Sequence, residues 1–263
     1  MYNYFKYPKT FHIPTSPNLQ NDDRKIESMK PFYNKRVVVS LKADGEGMSI
    51  YRDKIHARSL DSKDHPSRHW VKQLHASIKH EIPDGWRICG ENCYALHSIY
   101  YTELPSYFLV FGIYNEKNEC LSWDETVEYC KLLNLETVPV VYDGIYNAEK
   151  IQNIYENSFI LGGYTPKDDI DYFEILTGTK SGPDDTWHGL AYSDFNNFRD
   201  LIVKKYDIKT FAEKTEEGYV IRIANSFKYE DFQKSVSKYV RLNHVSSSDN
   251  WMTQQVIENK LKR

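Results

Sequence analysis

Cysteine is scarce in this 263-residue chain: Cys89, Cys93, Cys120 and Cys130 are the full set, and no C-x-x-C pair is among them. A zinc site built on paired thiolates is therefore not expected, and the thiols are read as reduced. Long apolar runs are missing too. No stretch approaches the roughly 20 residues that span a bilayer, and no basic N-terminal segment leads into an apolar signal core. The expectation is a soluble, cytoplasmic protein that meets no membrane. Charge of one sign is also missing, since Lys and Arg number 34 against 37 Asp and Glu, a net charge of −3 with a pI near 6.3. That excludes nucleic-acid binding by bulk electrostatics, so any such contact has to be a local basic groove. A phosphate loop is lacking as well: Gly178-Thr179-Lys180-Ser181-Gly182 does not have GxxxxGK[ST] spacing and is read as a surface turn. No internal repeat or low-complexity linker interrupts the chain.

What is present begins with tyrosine, at 21 residues. Aromatic rings can stack on bases, but most are expected in the core or on sheet faces. The length suffices for a full core in one large domain or two small ones. Residues 1–20 are read as an extended segment packed on the domain, and 22–31 as a short helix or loop. Val37–Leu41 is a β-branched run expected as a buried strand. Gly45-Glu46-Gly47 then turns the chain into a strand over Met48–Tyr51, placing Lys42 on a hairpin. A return strand covers Ile55–Ser59, and the spacing of Trp70, Val71, Leu74 and Ile78 predicts a helix that Pro83-Asp84-Gly85 stops. Trp86–Glu91 and the dense run Tyr107–Tyr114 are expected strands, the second of them central. Ser122 with Glu125 forms a capping box for a helix through Leu133. Further strands are expected at Thr137–Tyr142, Glu217–Ile223 and Tyr239–Leu242, with mixed signals over 147–207. From Asp249 the pattern of Trp251, Val256, Ile257 and Leu261 predicts a terminal helix.

Four short motifs follow one another across these elements. Lys42-Ala43-Asp44-Gly45 ends the first strand, and Gly90-Glu91, Glu217-Gly218-Tyr219-Val220 and Lys238-Tyr239-Val240-Arg241 come after it in that order. A lone KxDG string is weak, because Asp-Gly is a common turn. The ordered series is similar to the covalent nucleotidyltransferase superfamily of polynucleotide ligases and RNA-capping enzymes. It most resembles the small, single-domain ATP-dependent RNA ligases, over residues 35–245. The resemblance implies an α+β nucleotidyltransferase (ATP-grasp-like) fold of mainly antiparallel sheets flanked by helices, with a catalytic domain over 1–245 and a helical tail over 246–263.

It also implies roles for particular residues. Lys42 would be the nucleophile that takes AMP from ATP, activated by burial and neighbouring cations that lower its pKa. Lys238 would contact the α-phosphate and stabilise developing charge. Arg58 would hold ribose or the nucleotide phosphate, Glu91 would bond ribose hydroxyls, and Phe111, with Phe108 as the competing choice, would stack on the purine. Glu217 would bind Mg²⁺ or Mn²⁺, and Lys234 and Arg241 are secondary candidates for phosphate or nucleic acid. This sequence departs from the family pattern at three places. Leu41 stands where these ligases usually have glutamate, Gly47 where they often have asparagine, and Val236 replaces the first lysine of a KxK pair. The implied partners are RNA ends, nicked or broken, joined by a monomeric enzyme in RNA repair. A minimal ATP-dependent DNA ligase and a catalytically impaired nucleotide- or RNA-binding protein of the same fold are the alternatives.

Overall fold

The structure, a computed structural model, describes residues 4–19, 22–157, 163–164, 216–242 and 256–262. Its strands are β1 (Phe11–His12), β2 (Arg36–Lys42), β3 (Glu46–Tyr51), β4 (Ile55–Ala57), β5 (Arg87–Asn92), β6 (Tyr100–Tyr101), β7 (Phe108–Tyr114), β8 (Glu119–Cys120), β9 (Glu136–Thr137), β10 (Val140–Ile145), β11 (Gly163–Tyr164), β12 (Gly218–Ile223), β13 (Phe227–Lys228) and β14 (Val236–Val240). The α-helices are α1 (His69–Ile78), α2 (Trp123–Leu132), α3 (Ala148–Glu156) and the short α4 (Phe232–Ser235). Five strands form one sheet in the order β1-β14-β12-β2-β10. A second, seven-stranded sheet runs β13-β8-β7-β5-β3-β4, with β9 beside β7. Within these two sheets, pairing is antiparallel except for β1 with β14 and β9 with β7. The mixed α+β class with antiparallel sheets is the one expected.

The hairpin expected at Lys42 does not form. Strand β2 buries Val37 to Leu41 on both faces and has β12 on one edge and β10 on the other. With both edges paired there is no ladder left for β3, which joins β4 and β5 in the other sheet. The stretch from Lys42 to Gly45 is therefore the crossing from one sheet to the next. Asp44 pins that crossing: its Oδ2 accepts hydrogen bonds from Ser98 N (2.7 Å), Ser98 Oγ (2.7 Å) and Ile99 N (2.8 Å).

The strand expected at Thr137–Tyr142 likewise divides between sheets, β9 pairing with β7 and β10 with β2. Pro139 lies at the break, where it can offer a carbonyl but no N–H; Leu41 N donates to that carbonyl at 2.9 Å. The last motif strand is shifted toward Val236–Val240 relative to the expected Tyr239–Leu242. Helix α2 has its capping box, with Ser122 N donating to Glu125 Oε2 (2.9 Å) and Glu125 N to Ser122 Oγ (3.3 Å), an arrangement worth about 1 kcal/mol. Helices α1 and α2 cover one face of the seven-stranded sheet through Val71, Ile78, Cys130, Ile50, Phe108 and Val110. A larger core that includes Val38, Leu41, Leu109, Tyr114 and Ile221 joins the two sheets.

The tail differs from expectation where it is described. Residues 256–262 run extended, because their backbone groups are taken by the loop before β7: Leu96 N donates to Ile257 O (2.7 Å) and Leu104 N to Lys260 O (3.0 Å). Asn259 locks the contact, donating to Cys93 O (2.8 Å) and accepting from Tyr101 N (2.9 Å). Residues 246–255 with Trp251, the turn at 178–183 and most of 147–207 beyond α3 lie outside the described residues. All four cysteines are free and buried, and among the described residues no helix is long and apolar enough to cross a membrane.

Candidate active site

Adjacent strands of the five-stranded sheet bring three of the four motifs together. Gly218 of β12 is in register with Lys42 of β2, and Val220 is in register with Lys238 of β14. Only glycine fits at 218, since a Cβ there would lie 1.9 Å from the carbonyl oxygen of Tyr239. That close approach sets Glu217, one residue earlier, beside Lys42: Nζ and Oε2 are 2.5 Å apart. The side chains are 25% and 11% exposed, so the pair opens onto solvent from the lysine side. Lys238, 17% exposed, is held by a second carboxylate, Asp23, at 3.3 Å.

The seven-stranded sheet supplies the facing wall. Glu91 lies on β5 directly after Gly90, where a Cβ would run into the Phe108 ring at 2.5 Å. The Phe108 ring is fully buried in the helix-side core, whereas Phe111 is partly exposed and lines the cleft. Arg58 leaves the end of β4 exposed and without a hydrogen-bond partner among the described residues. The result is a cleft of about 420 Å³ lined by all six predicted site residues, Lys42, Arg58, Glu91, Phe111, Glu217 and Lys238. That volume suits a small-molecule ligand. Lys234 and Arg241 are not among the lining residues; Lys234 sits beside Asp231 and Arg241 donates to Glu216 O at 3.0 Å. Leu41, Gly47 and Val236 all line the cleft, so the departures from the family pattern put apolar surface where charge or amide would be.

The electrostatics reverse one expectation. Burial pulls the Lys42 pKa down, but the carboxylates of Glu217, Glu91 and Asp44 outweigh it and hold the ammonium above its ordinary value. The lysine held below its ordinary value is Lys238, first by burial and then by repulsion from Lys42, with Asp23 opposing both. Glu91 is pushed up to about 8, chiefly by burial and further by Glu217, Asp44 and Glu46, while Lys42 pulls it down.

No group of three His, Cys, Asp or Glu side chains that could hold a metal ion occurs among the described residues. The donor set nonetheless suits a hard cation that arrives with a polyphosphate. Such a cation takes one or two carboxylates, phosphate oxygens and water; of the cleft's carboxylates, Asp22, Asp23, Glu91 and Glu217, the one beside Lys42 is Glu217. Lys42, Arg58 and Lys238 are basic residues of the same cleft.

Several lining residues were not found from the sequence. Tyr7 packs on Phe111 with ring centroids 4.7 Å apart. Arg222, buried, donates to the carbonyls of Phe111 (3.2 Å) and Leu121 (2.8 Å) beneath Trp123. His12 and Asp23 join from the N-terminal segment. The sequence signal for them is slight: Tyr7 and His12 lie in a segment read only as extended packing, Asp23 in a stretch read as a short helix or loop, and Arg222 sits mid-strand among apolar residues.

Among known proteins, a family model described as RNA ligase matches residues 35–240, a stretch that contains all six predicted site residues. No curated protein matches the sequence. Of solved structures, an RNA ligase variant from Naegleria gruberi with ATP and Mn is 14% identical, covering 81% of this chain and 52% of its own, with a TM-score of 0.42. Another Naegleria gruberi variant, with AMP and Mn, is 13% identical over 91% of this chain and 62% of its own at a TM-score of 0.43. An archaeal ATP-dependent RNA ligase is 14% identical over 90% of this chain and 48% of its own, also at 0.43. The chain thus spans about half the length of the first of these structures.

Proposed function

The chain belongs to the RNA ligase family, and from that premise we propose that it is an ATP-dependent polynucleotide ligase acting on nicked or broken RNA. It joins 5′-phosphate and 3′-hydroxyl ends through a lysyl-AMP intermediate on Lys42, as a monomer. The observation that carries this reading is convergence: Lys42, Glu91, Glu217 and Lys238 come from four separate segments and line one cleft.

In the first step Lys42 Nζ bonds to the α-phosphorus of ATP, the bond from that phosphorus to the β-phosphate oxygen breaks, and pyrophosphate leaves with the electron pair. The amine must first give up a proton to solvent, and in the ligand-free site its neighbours oppose that. Glu217 would hold a divalent cation, and its carboxylate would then favour the charged form of Lys42 less. Lys238 and Arg58 balance the phosphate charge, Glu91 receives ribose hydroxyls, and Phe111 offers a ring face to the base. The AMP then passes to a 5′-phosphate, and a 3′-hydroxyl displaces it to form the phosphodiester.

The test is the intact mass after incubation with ATP and Mg²⁺ or Mn²⁺. A gain of one AMP in the wild type, absent from Lys42→Ala, is expected. No gain with any triphosphate moves the chain to the nucleotide- or RNA-binding reading. Matched nicks whose 3′-OH strand ends in ribose or deoxyribose then separate RNA from DNA, since the 2′-hydroxyl is the chemical difference a site can bond. Equal sealing of both would favour the DNA ligase reading.

A further inference from the structure

The phosphate end of the cleft is completed by residues that precede the family-matched stretch. Strand β1 pairs in parallel with β14, His12 opposite Lys238, and Ile13 N donates to Lys238 O at 2.8 Å. Residues 24–26 run parallel to β1 along its other edge: His12 N donates to Arg24 O (2.7 Å) and Ile26 N to His12 O (2.8 Å). This doubling brings Asp23 against both side chains, with Oδ1 3.3 Å from Lys238 Nζ and Oδ2 3.1 Å from His12 Nε2. The three side chains are 10%, 17% and 1% exposed, so the cluster is shielded where the cleft begins.

We propose that Asp23 is a positioning residue that aims Lys238 at the phosphates in the cleft, with the buried His12 ring packed beside the carboxylate. The inference rests on the ligase reading for what Lys238 acts upon. A lysine side chain is a point charge on a flexible four-carbon stem, and a group that stabilises charge on phosphorus has to be held in place before the reaction. Asp23 supplies the anchor. It also keeps the ammonium charged against its surroundings, because burial and Lys42 both favour the neutral amine. The charged or titratable groups around Lys238 are Lys42 and Glu217 from the sheet, His12 from β1, and Lys9, Asp22 and Asp23 from the flanking segment.

His12 is itself braced. Ser16 Oγ accepts from Val240 N at 3.0 Å and lies 2.8 Å from His12 Nδ1. Ser16 Oγ also donates to Val240 O at 3.3 Å, which fixes the ring from its Nδ1 side. Burial and Lys238 hold the ring below its ordinary pKa, which favours the neutral imidazole.

The experiment compares Asp23→Asn, which keeps shape and removes charge, with Asp23→Glu, which keeps charge and moves it by one methylene. Single-turnover AMP transfer is measured across pH. Asp23→Asn is expected to slow transfer by about 10- to 100-fold, as a misplaced group does. Its activity should also fall off at lower pH on the alkaline side than in wild type. Asp23→Glu is expected to recover part of the rate. The reverse order, with Asn tolerated and Glu not, would mean a packing role and overturn the proposal.

A second measurement needs no activity. The Lys238 ammonium, followed by carbon-13 NMR in nucleotide-free protein and assigned through Lys238→Arg, is expected to titrate about one pH unit lower in Asp23→Asn. An unchanged titration overturns the inference even in active protein. If wild type takes up no AMP, the ligase reading fails while this measurement still decides whether Asp23 governs Lys238. Should Asp23→Asn not fold by circular dichroism, Asp23→Ser takes its place in both measurements.

Discussion

The two walls of the cleft treat charge differently. On the five-stranded sheet each lysine has its own carboxylate, Lys42 with Glu217 and Lys238 with Asp23. On the seven-stranded sheet Arg58 and Glu91 have no ion-pair partner among the described residues, and Phe111 presents a partly exposed ring. Paired groups are fixed in place and in charge, and an incoming anion has to exchange with a carboxylate already there. Unpaired groups are shaped for a ligand that brings its own complement. On the proposed ligase reading, the first wall would serve reaction and the second recognition.

The largest test of this division is Lys42→Ala, which is expected to remove nucleotide transfer altogether. It should also lower stability by about 1–3 kcal/mol, because Glu217 is left facing the cleft without its cation. Thermal melting of Lys42→Ala against the Lys42→Ala/Glu217→Gln double variant measures that cost. A single variant as stable as wild type would show that the pair does not hold the wall together. Next in size, Lys238→Ala is expected to slow transfer by about 10²–10³-fold with little change in nucleotide KM. A change confined to KM would move Lys238 to the recognition side.

The phenylalanines sharpen the comparison within one strand. Phe111→Ala is expected to weaken nucleotide binding by about 1–3 kcal/mol, the worth of one base-stacking ring. Phe108→Ala should instead cost about 3–5 kcal/mol of stability, with binding by the folded fraction unchanged. Equal effects of the two on binding, by calorimetry, would remove Phe111 from base contact.

The smallest expected effect is at Glu91. Its folded pKa of about 8 lies above the ordinary 4.5, so between those values the folded protein keeps a proton that the unfolded chain has released. Stability from this group is full below that window, falls as pH rises through it, and is level beyond. Glu91→Gln should flatten the decline of melting temperature between about pH 5 and 8. Parallel curves for the two proteins would contradict an unpaired, half-buried Glu91 with a raised pKa.

Much of this site could be seen in the sequence because its residues sit at the ends of strongly patterned strands. Val37–Leu41 announces β2 and thereby Lys42, and Gly90 and Gly218 stand where neighbouring atoms leave no space for a Cβ. The crossing after Lys42 was misread because Asp-Gly looks the same in a hairpin as in a passage between sheets. What separates them is whether β2 has a free edge, and that depends on strands about 100 and 180 residues away in the chain. The extended tail failed for a similar reason: apolar residues at helical spacing also suit a strap whose backbone groups are bonded elsewhere. Asp23 gave no signal at all, since its partner Lys238 lies 215 residues further on.

The strap over 256–262 bears on how the chain reaches this state. Asp44 meets Ser98 across 54 residues, Tyr101 meets Asn259 across 158, and Lys42 meets Glu217 across 175. Closing the longest of these costs only about 1 kcal/mol more than the shortest at equilibrium, since loop entropy grows with the logarithm of length. In time the difference is far larger, because distant pairings limit the rate at which a β-rich chain folds. The seven-stranded sheet, joined mostly by near neighbours, can stand early. The surroundings of Lys42 draw on segments from both flanks, so the wall with Arg58 and Glu91 is expected to form before the wall with Lys42.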